Sequence, residues 1–451
     1  MTEKTWAEMT PQEKRAHRLN GWLNNWGYKF PNAEAEKAHK TRVQRLIDVY
    51  NVKEPDRVPV NLPVGNLPLR MAGVNAYTAM YDQEKAMQAA AKFNEKYAEE
   101  LEYTAIGFFY APGQVLDLLD YKLYAWPGHG ISKDGTTWQF IEGEYMREDE
   151  YDDLIRDPSD FWMRTYLPRV FGILEPMRMF QPFTNITENV HVNQFMPLAL
   201  PAMQAMLQKM LDVGKEWQKL MQVMFKAAGG AAPSTALTFM GGGFAKAPFD
   251  TLGDTLRGTQ NIMKDMFRRP EKLLKALDVM ADLQIATILK SSNIDKLTTV
   301  MYPLHKGADG WMSQKQFDTF YWPSLKKVMD AFISEGLIQN LFAEGSFNTR
   351  LEYVGDFPKG SVIWYFDRTD MNKAKQVLGK NFCLQGNVPS SMIVTGDPKD
   401  VKEYCRKLIQ EVGKGGGFIL SAGSISDNPK LENLQAMMAA VREYGWYKKP
   451  R

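Results

Sequence analysis

The chain has 451 residues, 44% hydrophobic and 24% charged, with a net charge of +2. This balance suits an ordinary globular protein and leaves no basic footprint for nucleic acid. Two cysteines, Cys383 and Cys405, exclude a disulfide framework and fit a reducing cytoplasm, while a polar N-terminus and a proline-broken apolar run from Phe195 to Leu207 offer neither a signal peptide nor a membrane span.

Residues 1–52 read as a helical arm rich in Lys, Arg and Glu, with Trp22, Trp26 and Tyr28 to dock it on the main body or on a second subunit, so a homodimer is left open. Residues 53–451 read as one body. Arg57-Val-Pro-Val-Asn-Leu-Pro is a short strand with a Pro/Gly loop, Asp82 to Leu101 a helix, and Tyr103 to Tyr110 an apolar strand. Lys122 to Met146 reads as a β-hairpin insertion, and residues 150–230 as mostly helical. A strand over Ala236 to Met240 precedes Gly241-Gly242-Gly243, and helices cover Thr255 to Phe267 and Pro270 to Lys290. Strands follow over Thr298 to Leu304, Ile338 to Ala343, Val362 to Phe366, Phe382 to Gln385 and Phe418 to Ser421, with helices between them opened by Ser313, Asp370 and Asp397. Eight apolar strands alternating with helices predict an α/β protein, a (β/α)₈ TIM barrel. A doubly wound open sheet is the alternative, but it would carry a phosphate-binding glycine turn.

A barrel of this kind keeps its site at the C-terminal ends of the strands. His305, Glu344 and Asp367 stand directly after three of them, and such a set could hold a metal or act as general acid and base. Each could instead cap a helix or pair with a nearby cation. Asn61, Met240, Gly241, Phe342, Trp364, Asn387 and Ser424, in or just past strands, are substrate-binding candidates. Phe244, Trp311, Trp364 and Phe366 would suit an aromatic substrate or the core.

Gly415-Gly-Gly-Phe-Ile-Leu-Ser-Ala-Gly-Ser with Asn428-Pro-Lys-Leu-Glu-Asn resembles the C-terminal signature of the uroporphyrinogen decarboxylase superfamily. Leu384-Gln-Gly-Asn-Val-Pro, Thr395-Gly-Asp-Pro-Lys-Asp-Val, Asp56-Arg-Val-Pro-Val and Pro248-Phe-Asp-Thr-Leu-Gly-Asp-Thr-Leu-Arg-Gly carry the same resemblance, which spans roughly residues 55–446. It implies a (β/α)₈ barrel. True decarboxylases carry an arginine-rich motif after the first strand to bind substrate carboxylates. That place here reads Leu62-Pro-Val-Gly-Asn-Leu-Pro-Leu-Arg, with Arg70 alone nearby.

The resemblance favours the corrinoid-dependent methyltransferase branch, whose partners are a corrinoid protein carrying cobalamin and a small methylated substrate. Thiol-methylating members bind zinc through His-x-Cys and a later Cys. These positions read Phe342-Ala343-Glu344 and Ser424, so a divalent metal such as zinc would need His305, Glu344 and Asp367 instead. That shifts the expectation to demethylation of a substrate such as an aromatic methyl ether. A methylcobalamin-dependent transfer to another acceptor, a decarboxylase-like lyase and a non-catalytic docking barrel are the alternatives.

Overall fold

The β-branched and aromatic runs of the sequence become its strands. The computed structural model describes residues 4–30, 32–103, 111–135, 138–235, 242–291, 294–424 and 428–448, with backbone alone for 225–235. In chain order the strands are β1 (Val60–Asn61), β2 (Tyr124–Pro127), β3 (Gly130–Ile131), β4 (Gln139–Phe140), β5 (Gly242–Phe244), β6 (Thr299–Leu304), β7 (Ile338–Ala343), β8 (Val362–Phe366), β9 (Cys383–Val388) and β10 (Phe418–Ala422). Seven of them form one all-parallel sheet in the order β1-β10-β9-β8-β7-β6-β5. The sheet curls into a TIM-barrel-like wall surrounded by helices, in agreement with the expected fold class. Residues 104–110 and 236–240, expected to be strand, and Gly241 after them lie outside the described residues. Directly after the second of these, Gly242–Phe244 is a strand, so two of the three glycines sit within a strand. In the insertion, β2 and β4 pair antiparallel.

Side chains on a strand alternate between faces. Ile338, Ile363, Cys383 and Ile419 share a cluster with Leu19, Trp22, Val43, Leu46 and Tyr50 of the arm. Residues of the other parity, such as Leu341, Trp364, Leu384 and Leu420, belong to the core against the helices. The inner face continues upward through Phe342 and Tyr365, whose rings lie 4.6 Å apart. Ser421 Oγ reaches Tyr365 Oη at 3.5 Å over the intervening β9, which side chains do on the concave side of a curled sheet.

The helices Pro11–Leu23 and Ala33–Tyr50 of the arm therefore pack across the N-terminal end of the sheet. Glu335 anchors them, accepting from Trp6 Nε1 at 2.6 Å and Lys14 Nζ at 2.7 Å, while Arg18 donates to its carbonyl at 2.8 Å. Gly336 has φ +75°, and a Cβ there would stand 2.5 Å from the backbone of Arg15, so only glycine lets the arm approach. Tyr28 is exposed and touches the body through Lys296 Nζ, 4.7 Å above its ring. Ser313, Asp370 and Asp397 cap their helices through backbone N–H groups. Cys383 and Cys405 are buried free thiols. Among the described residues no helix is long and apolar enough to cross a membrane.

Candidate active site

The mouth of the sheet is organised by two carboxylates one helical turn apart. Asp250 lies in the helix Pro248–Thr251, which runs into a π-helical turn, Leu252–Leu256, holding Asp254. Residues four apart share a helix face, and π turns are frequent at functional sites. Both side chains are aimed at the segment leaving β6. Fully buried Asp250 accepts from the backbone N–H groups of His305 at 2.9 Å and Lys306 at 3.0 Å, and from Tyr321 Oη at 2.7 Å. Asp254 Oδ2 meets His305 Nδ1 at 2.6 Å and Lys246 Nζ at 2.5 Å, and its other oxygen accepts from Lys306 Nζ. Lys306 Nζ also lies 5.1 Å above the ring of Trp311.

With Nδ1 held by Asp254, the other ring nitrogen of His305 faces Glu344: Nε2 and Oε1 are 3.9 Å apart. Asp367 stands one strand further on, its Oδ2 accepting from Gly345 N–H at 3.0 Å. Gly423, at the end of β10, brings its backbone so near that a Cβ would meet the Asp367 carbonyl at 2.7 Å. The three expected residues thus gather at one end of the sheet, His305 and Glu344 as a facing pair and Asp367 as a neighbour.

Charge sets their protonation. Burial opposes the His305 cation, but the hydrogen bond and charge of Asp254, with Asp250 and Glu344, outweigh it and raise its pKa. Asp254 lies far below the usual carboxylate range, because His305, Lys246 and Lys306 overcome its burial. Burial raises the pKa of Glu344, and Asp250, Asp367 and Asp254 add to this against the pull of His305. Asp250 is raised by burial and by Asp254. Both shifts favour the protonated forms: Asp254 favours the charged imidazole, and burial with the neighbouring carboxylates favours the neutral form of Glu344.

The other expected binding residues divide. Phe342 lies on the inner face beneath Glu344, and Asn61 pairs in register with Ser421. Asn387 Nδ2 donates to the carbonyls of Asp367 and Thr369, holding the loop after β8. Ser424 Oγ lies 2.7 Å from Ser390 Oγ. Asn387 and Ser424 line, with Asp367, Thr369, Ser390 and Tyr404, a groove of about 710 Å³ beside the pair. Met240 and Gly241 lie outside the described residues. Trp364 does not reach the mouth: it is fully buried on the opposite face of β8, stacked on Phe366 at 5.8 Å. Phe366 shares that burial, and Phe244 is 62% exposed. Tyr365, which the sequence reading passed over, is the aromatic that β8 turns inward.

Asp250, Asp254, Lys246, Lys306 and Tyr321 were not among the expected site residues. Their signal was present in the Asp-x-x-x-Asp spacing after Pro248. Of the expected metal candidates, His305 keeps Nε2 and Asp367 keeps Oδ1 clear of the bonds described above, and Glu344 faces His305. Among the described residues no group of three His, Cys, Asp or Glu side chains is already arranged to hold a metal ion.

Residues 193–444 match the family model for uroporphyrinogen decarboxylase (URO-D). The chain belongs to that family. Among its relatives are the uroporphyrinogen decarboxylases of Trichodesmium erythraeum, 25% identical over 234 residues, and of Actinobacillus succinogenes, 22% identical over 218 residues. The matches cover 47% and 46% of this chain, and in each case 58% of the relative, so the chain spans little more than half the length of these family members. A methyltransferase from Methanosarcina mazei has the same fold, with a TM-score of 0.56 at 16% identity, covering 90% of this chain and 98% of that one.

Proposed function

We propose that this chain is an enzyme, a corrinoid-dependent methyltransferase that takes the methyl group from a methylated small molecule, an aromatic methyl ether, for the cob(I)alamin of a partner corrinoid protein. The observation that carries the reading is the His305–Glu344 pair at 3.9 Å with Asp254 behind the imidazole. Breaking the carbon–oxygen bond leaves an electron pair on oxygen, and that oxygen needs a proton. His305 holds one at Nε2, pointing into the mouth, and Asp254 stabilises the imidazolium until the proton leaves. Glu344, with its raised pKa, returns a proton to Nε2 and faces the leaving oxygen from the other side. Phe342 and Tyr365, packed on each other beneath the pair, make the floor of the mouth aromatic, in keeping with an aryl ether.

A reduced corrinoid, when bound, supplies the nucleophile for the methyl carbon. The open groove beside Asp367, lined by the hydroxyl groups of Thr369, Ser390 and Ser424, fits the amide-rich edge of such a group. The family and the fold shared with a methyltransferase support the branch. A decarboxylase-like lyase is disfavoured by Arg70, the arginine in the segment that follows the first strand, whose Nη2 donates to the carbonyl of Pro429 at 2.7 Å rather than standing ready for a substrate carboxylate.

The test is to mix the protein with reduced cobalamin and a panel of aromatic methyl ethers, methylamines and methyl thioethers, following the corrinoid absorbance. A change with ethers, lost in His305→Ala, is expected. No change with any donor, together with carbon dioxide release from a porphyrinogen, would overturn the proposal.

A further inference from the structure

The inner face of the sheet carries polar side chains below the mouth. Tyr365 pairs in register with Gln385 and Gln385 with Ile419, yet the Tyr365 hydroxyl meets Ser421, two residues beyond Ile419. Side chains two strands apart thus come level after a two-residue step, as in the layers that alternate strands build inside a closed barrel. The same step defines the layer next below. Asn61 is in register with Ser421 and through it with Asn387, so it stands level with Gln385, two residues earlier. Gln385 is in register with Tyr365 and through it with Phe342, so it stands level with Asn340, again two residues earlier. Asn61, Gln385 and Asn340 therefore form one layer of three side-chain amides under the Tyr365–Ser421 hydroxyls.

These amides are short of partners. Gln385 is 3% exposed, and the buried Oδ1 of Asn340 has no hydrogen bond. Among the described residues, nothing bonds to the side-chain amides of Asn61 and Gln385 either. Burying an amide unpaired is unfavourable, so a layer of three calls for a polar guest. Below it, Ile338, Ile363, Cys383 and Ile419 close the inner face against the arm. Charge selects the guest. The five side chains of the two layers are hydroxyls and amides, each a donor and an acceptor. Burial pushes the Tyr365 phenol up to about 12, which keeps it neutral. A carboxylate or an ammonium group would lose its water there without gaining a counter-charge. A hydroxyl group both donates and accepts, as its neighbours do.

We infer that the amide layer and the Tyr365–Ser421 pair form a binding subsite for an uncharged hydroxyl group at the end of the substrate remote from its methyl ether. The inference rests on the methyl-transfer reading, which puts the ether oxygen at His305 and Glu344. Asn340 and Glu344 are four residues apart on one strand, about 13 Å; with a hydrogen bond at each end, that span fits one aromatic ring bearing a short para arm.

Calorimetric titration of the full chain, without any corrinoid, tests it with four compounds on one frame: para-methoxybenzyl alcohol, para-methoxybenzylamine, para-methoxybenzoate and para-methylanisole. The alcohol should bind about ten-fold more tightly than each of the others. Gln385→Met and Asn340→Leu should each remove that preference and leave the affinity for para-methylanisole unchanged. Asn340→Leu should unfold at no lower temperature than the wild type, since it replaces an orphaned acceptor by an apolar group of similar shape, and it decides the matter where Gln385→Met does not fold. Four equal affinities, the mark of a layer that holds water alone, overturn the inference. So do a preference for either charged compound, no binding by any of the four, or a preference for the alcohol that Asn340→Leu retains. A chain that prefers the alcohol yet passes no methyl group to reduced cobalamin overturns the methyl-transfer reading and leaves the subsite standing.

Discussion

Replacing Asp254 with Asn removes the charge behind His305 and keeps the size of the side chain. The amide oxygen can still accept from Nδ1–H, but the 2.6 Å bond loses its charged partner and the imidazolium its counter-charge, together about 1.5–3 kcal/mol. At about 1.4 kcal/mol per pKa unit, the imidazolium should lose roughly 1–2 units. The same substitution leaves Lys306 Nζ, with 6% of its side chain exposed, without its carboxylate, so a stability loss of about 3 kcal/mol should accompany it. The assay is an NMR titration of the His305 ring, assigned with His305→Asn. The sign is fixed by linkage. Because the folded-state pKa of His305 is raised above its ordinary 6.5, the stability it contributes is full below that value and is lost as pH rises through the folded pKa. Activity that needs the imidazolium falls over the same rise. In Asp254→Asn this alkaline limb should move to lower pH. If His305 titrates at the same pKa in both proteins, the positioning role assigned to Asp254 is wrong.

Glu344→Gln should reduce turnover by about 100-fold while lowering the His305 pKa less than Asp254→Asn does, since Glu344 is more distant and 44% exposed; pH–rate profiles of the two variants decide it. Trp364→Phe should leave turnover unchanged and shift stability by no more than about 2 kcal/mol, because the indole lies on the helix-facing side of β8 with its Nε1 unpartnered; thermal unfolding and a rate assay check both halves. Trp22→Ala should cost about 3 kcal/mol in urea unfolding without altering the His305 titration, as the ring is buried against Tyr50 at the far end of the sheet.

The strands from β6 to β10 and the capping of their helices were legible because apolar runs and Ser or Asp caps are local signals. His305, Glu344 and Asp367 were legible for the same reason: each directly follows a strand. The carboxylates behind His305 were not, because Asp250 and Asp254 reach the mouth from a helix, and the π turn between them leaves no mark in residue type. Trp364 shows a different failure. It lies three residues before Asp367, and an odd separation on a strand puts two side chains on opposite faces, so both could not line one site. Tyr365 had the right parity. Gly242 and Gly243 were placed after a strand and not within one because glycine runs rarely suggest strands.

The arm that packs across the lower end of the sheet has a consequence for the order of assembly. Trp6 bonds to a residue 329 positions away and Arg18 to one 317 positions away, while Ile363, Cys383 and Ile419, which the arm's apolar residues cover, come later still. Contacts of such sequence separation form slowly, since a long loop must close before they reward it. During synthesis the arm therefore waits, its Leu19, Trp22 and Leu46 uncovered, until nearly the whole barrel has emerged. Such an interval is where a helper chaperone would be recruited, and a chain halted before Phe418 would expose this surface indefinitely, marking it for degradation.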